Sequence, residues 1–168
     1  MPWLTFRFGF SIVGFLFLIL LLVPNFLWAK NQPQGYDPGA ESPVLLIFER
    51  VGEVLVTCLL CISADLNLRP WSPRSLWLVC AGLLMALYEG FWLRYFRGEH
   101  TLEDFYGSFC GVPVAGATLP VLAAFCLGIC GRNLWLLLAA LILGVGHIGI
   151  HLQHKKDLDI TKSKENNA

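Results

Sequence analysis

The stretch PVLLIFERVGEVLVTCLLCI, residues 43–62, decides the fold. A helix of this length reaches about 30 Å, the thickness of a bilayer's hydrocarbon core. Yet it carries Glu49, Arg50 and Glu53 within that length. Outward from it lie four further apolar runs, at 8–28, 75–96, 112–130 and 134–154. Polar or turn-forming connections separate them: 31–42 with Pro33, Gly35, Pro38 and Gly39; 63–74 with Pro70, Trp71 and Pro73; 97–111 with Glu99, His100, Glu103 and Asp104; and the turn Gly131-Arg132-Asn133. If 43–62 crosses the membrane, the chain is an all-α integral membrane bundle of about five transmembrane helices. It then forms one domain, 1–154, followed by a basic tail, 155–168, expected to be disordered.

Composition points the same way. Hydrophobic residues make up 56% of the 168 residues and charged ones 14%, where soluble domains carry roughly a quarter charged. Mean hydropathy is +0.62. A membrane β-barrel would show alternating segments of about 10 residues, and none is present. The first run, preceded by Arg7, is longer than the roughly 7–15 apolar residues of a secretory leader and has no small-x-small cleavage site after it, so it is expected to be a span. A net charge of zero gives no field to draw in nucleic acid.

Five spans place the two termini on opposite sides. Lys30, Arg94, Arg97, Lys155, Lys156, Lys162 and Lys164 fall on one side; Arg7, Arg69, Arg74 and Arg132 fall on the other. The excess of basic residues predicts a multi-pass protein of the cell membrane with its C-terminus in the cytoplasm.

Ionisable residues inside a span cost about 2.5–3.5 kcal/mol each on insertion scales, so they are usually paired and often functional. Glu49 and Glu53 are four apart and share a helix face, and Arg50 is within pairing reach of Glu53. His147, His151 and His154 share a face of the last run. Counting residues from the span ends puts Glu49, Glu89 and His147 at one level, about 10 Å below the same surface. The acidic connection 97–111 would lie over that level.

Two function classes fit. In one, a polar pocket binds or converts an apolar or amphipathic small molecule. Glu49, Glu53, Glu89, His147 and His151 are then the candidate acid/base groups, because carboxylates beside imidazoles move protons near neutral pH. Arg50, Tyr88, Trp92, Arg94 and Asp104 are the candidate binding residues. In the other, the chain is a structural or accessory subunit whose buried charges join helices, a second copy or a membrane partner protein. A proton-coupled transporter would use the same groups. The Glu and His set also has ligand types that suit iron, zinc or manganese, but the Glu-x-x-His pattern of di-iron bundles is absent. No cofactor motif is present. Of six cysteines, Cys58 and Cys61 form a CxxC and Cys126 and Cys130 are four apart. Thiol redox chemistry is thus a further alternative, set against cysteine's ordinary role as a small apolar residue.

Overall fold

The computed structural model describes residues 3 and 6–165, and among them the protein is all α, with only isolated β-bridges beside the helices. Six α-helices follow one another: α1 (Ile12–Trp28), α2 (Pro43–Ile62), α3 (Ser75–Arg97), the short α4 (Leu102–Tyr106), α5 (Ala115–Gly131) and α6 (Leu134–Glu165). The five long ones run alternately up and down, and α4 lies across one end.

Local chemistry sets their limits. α1 begins at Ile12 rather than at 8, because Ser11 caps it by accepting from the Gly14 N–H, and the residues before it lie extended along the end of α2, with Gly9 N–H donating to Ile62 O and Ser11 N–H to Cys61 O. Pro24 sits inside α1 without ending it. α2 starts with Pro43, whose missing N–H is no loss in a first turn; the Ser42 side chain makes no capping bond. α4 is closed by a reciprocal capping box between Thr101 and Asp104. α5 ends at Arg132 in the left-handed region (φ 52°), and Asn133 then turns the chain, its carboxamide oxygen accepting from the Leu136 N–H to start α6. Nothing stops α6 at His154. It continues to Glu165, so 155–165, expected to be disordered, is helical, and Lys162 reaches Glu103 at 2.5 Å. Residues 166–168 of the expected tail lie outside the described residues.

Two of these helices, α3 and α6, are long and apolar enough to cross a membrane by length and composition. The expected five spans are therefore met by two. α1 and α5 are apolar but only 17 residues long, about 26 Å. α2 has the length, and its three charges weigh against it.

Glycines decide how closely the helices approach. A Cβ on Gly146 would collide with the backbone of Glu49, and one on Gly52 with the backbone of Leu143. α2 and α6 thus meet backbone to backbone, antiparallel, as small residues permit. Gly14 brings α1 against the Leu60 carbonyl in the same way. One end of the bundle is filled by aliphatic side chains, including Leu60, Leu66, Leu127, Leu136 and Leu143. The other is aromatic, built on Tyr88, Phe91, Trp92, Tyr95, Phe105 and Tyr106.

Candidate functional site

The close contact at Gly146 has a direct chemical result. The residue beside it, His147, is brought against Glu49, and its Nδ1 lies 2.5 Å from Glu49 Oε1. With Glu49 ionised, Nδ1 carries the shared hydrogen, and Nε2 remains the ring's second exchangeable position. The carboxylate is about nine-tenths buried and the imidazole three-quarters buried.

This pair stands in the wall of a cavity of about 170 Å³. α2 contributes Glu49, Arg50 and Glu53; α6 contributes His147 and His151; α3 contributes Trp92. α1 adds Asn25 and Trp28, the loop after it Tyr36 and Glu41, and α4 covers the space with Phe105 and Tyr106. Depth within the cavity follows exposure. Arg50 and Glu53, joined at 3.0 Å, are 67% and 42% exposed and mark the mouth. Glu49 and His151 are both only 8% exposed and form the floor. α1 and α2 touch at Gly14 and Leu60, and the cavity occupies the opposite end of the same pair.

The cover is held from several sides. The Arg94 guanidinium donates to the carbonyls of Asp104 (2.8 Å) and Ser108 (3.0 Å). Phe105 stacks on Trp28 at 5.0 Å, and Tyr106 stacks on His154 at 5.0 Å. Tyr95 Oη donates to the Asn31 carbonyl, holding the loop that carries Tyr36. Burial first, and then the carboxylates of Glu41 and Glu49, push the Tyr36 phenol above its ordinary range. Burial raises Tyr106 as well. Both therefore remain neutral hydrogen-bonding phenols at physiological pH.

Of the residues singled out in the sequence, Glu49, Arg50, Glu53, Trp92, His147 and His151 line this one cavity. Glu89 does not, although it was expected at the same level. It is half-buried, and its Oε1 is buried with no hydrogen-bond partner. Tyr88 is a buried packing residue whose hydroxyl accepts from the Asn25 side chain. Arg94 and Asp104 secure α4 rather than line the cavity. Asn25, Trp28, Tyr36, Glu41, Phe105 and Tyr106 also line it, with Gly116 and Ile150, without having been singled out for it. Their connecting segments have no helical periodicity to read, apart from α1, where Trp28 reads only as an interfacial aromatic.

Among the described residues no group of three or more His, Cys, Asp or Glu side chains converges to hold a metal ion. All six cysteines are free, and none lines this cavity. Comparison with known proteins returned no matching family model, no matching curated protein and no matching solved structure.

Proposed function

We propose that this chain is a five-span membrane protein whose polar cavity receives the head of an apolar or amphipathic small molecule, with Glu49 and His147 as its acid/base pair. The contact between Glu49 and His147 in the wall of a cavity carries the reading. A carboxylate and an imidazole joined at 2.5 Å deep in a cleft can take up and return a proton at a bound molecule. The surroundings support the membrane part. The outer face of α2 is a stripe of Val44, Ile47, Val51 and Val54, each 46–64% exposed. Only 28% of the apolar window of α3 and 39% of that of α6 is buried, whereas the core helix of a soluble protein is mostly covered. Apolar surface on this scale suits lipid contact. The volume is below the roughly 300–1,000 Å³ of sites that enclose a whole drug-sized ligand. It suits a head group with its tail outside.

The test is expression of the chain in a host lacking it, followed by lipid and metabolite profiling of cells carrying wild type, Glu49→Gln or no protein. An apolar or amphipathic species changed by wild type and restored by Glu49→Gln supports conversion. A second reading, an accessory subunit, draws on the exposed Arg50–Glu53 pair, which a partner helix would cover. Unchanged profiles together with a co-purifying membrane protein would favour it.

A further inference from the structure

The charge of the cavity is uneven. Glu41, Glu49 and Glu53 are set against one arginine, Arg50, which is already joined to Glu53. Three carboxylates and one guanidinium leave −2 with the imidazoles neutral; the histidines that face these acids are His147, beside Glu49, and His154, 3.6 Å from Glu41. An anionic head would meet this excess directly. A neutral one would leave it uncompensated.

The walls between the acids are aromatic: Trp28, Tyr36, Trp92, Phe105 and Tyr106. Ring faces attract cations, more strongly where water is excluded. Tyr36 feels both Glu41 and Glu49, so these two acids act on a shared space.

An independent feature narrows the ligand further. His151 is 92% buried, 8% being exposed, and its Nδ1 has no hydrogen-bond partner. Its ring packs against Tyr106 at 5.2 Å, Phe105 at 5.3 Å and His147 at 4.8 Å, none of which gives that nitrogen a hydrogen bond. A buried polar atom left unmatched is destabilising, and a ligand that supplies its partner recovers that loss. In a neutral ring with hydrogen on Nε2, Nδ1 is an acceptor and calls for a donor.

We propose that the cavity takes the protonated amine head of an amphipathic molecule, its N–H groups donated to Glu49, Glu41 and His151 Nδ1 and its flanks against the aromatic rings. This rests on the reading of the cavity as a binding site and specifies its ligand. The tail leaves past Arg50 and Glu53 and lies on the apolar face of α2 at Ile47, Val51 and Val54. The N–H requirement separates a primary amine from a quaternary ammonium, which offers charge and no donor.

The experiment uses the full chain in nanodiscs, with empty nanodiscs as the reference for partitioning. Binding of octylamine, octyltrimethylammonium, octanol and octanoate is measured by calorimetry. Octylamine is expected to bind saturably and at least about tenfold more tightly than each of the others, the loss of one buried charge-assisted hydrogen bond being worth that much. Glu49→Gln combined with Glu41→Gln should weaken octylamine at least about tenfold and leave octanol unchanged. His151→Phe should narrow the gap between octylamine and octyltrimethylammonium, the bonds to Glu49 and Glu41 remaining. The four-ligand series on wild type decides the matter even if a variant fails to fold. Saturable binding of octanol or octanoate at least as tight as octylamine overturns the amine proposal and preserves the cavity as an amphiphile site. Equal affinity for octylamine and octyltrimethylammonium overturns the donor requirement. Absence of saturable binding by all four overturns both.

Discussion

Glu49 and His147 sit on different helices, 98 positions apart in sequence, and satisfy one another where both side chains are largely buried. Removing either leaves a buried polar group without its partner, at a cost of about 1–3 kcal/mol. Glu49→Ala and His147→Ala are each expected to destabilise the protein by that amount. The double variant should cost little more than the worse single one, and a cycle of unfolding titrations in detergent reads the coupling. Additive losses would show that the pair is not a unit. The two raised phenols have a sign of their own. Tyr36 and Tyr106 favour the neutral form in the folded state, so their contribution is complete below the ordinary tyrosine value of 10.0 and is lost as pH rises through their raised values. An absorbance titration should find Tyr36 and Tyr106 among the tyrosines that resist ionisation until the fold opens.

At the scale of the helix, the glycines make opposite predictions at different positions. Gly146→Ala puts a methyl into the backbone of Glu49, and overpacking of this kind costs about 1–3 kcal/mol. It should also part Glu49 from His147. Gly82 in α3 has open space where its Cβ would be, so Gly82→Ala should stabilise by up to about 1 kcal/mol through helix propensity. Equal effects at the two sites would refute the backbone contact. α4 depends on its cap, and Thr101→Ala should cost about 1 kcal/mol locally, visible as faster amide exchange across Leu102–Tyr106.

The same elements show what can be read without coordinates. Apolar runs locate α2 at its observed limits and α3 to within a residue, because Pro43 and the connections around 63–74 are strong punctuation. The end of α6 is not readable, since residues 150–168 contain neither Gly nor Pro to halt a helix. Alternation of helix direction correctly levels Glu49 with His147. It says nothing about rotation around each axis, and Trp92 lines the cavity while Glu89, nearly a full turn earlier on α3, does not. The rotation is set by backbone contacts such as Gly52 on Leu143, which exist only once the helices meet. Tyr36 and Glu41 come from a loop whose path depends on Tyr95 and Phe105 holding it down.

For the whole molecule, the proposed five-span arrangement makes a simple prediction about sides. Single cysteines introduced into a cysteine-free background at Gln34 and at Cys110's own position should react with an impermeant thiol reagent from one side of the membrane. A cysteine at Asn67 should react from the other. Labelling of 34 and 67 from the same side would remove α2 as a span. α6 adds a mechanical consequence. It is one uninterrupted helix in which the imidazoles of the cavity floor and the outer basic turns share a single rod, and its last turns stand about 16 Å beyond His154. The bridge from Lys162 to Glu103 ties that rod to the cover over the cavity. Were α6 to tilt about its contact with α2, the displacement would be largest at its tip, as in a gauge whose needle is read outside the casing. A probe attached at Lys164 should register the filling of a chamber it never touches.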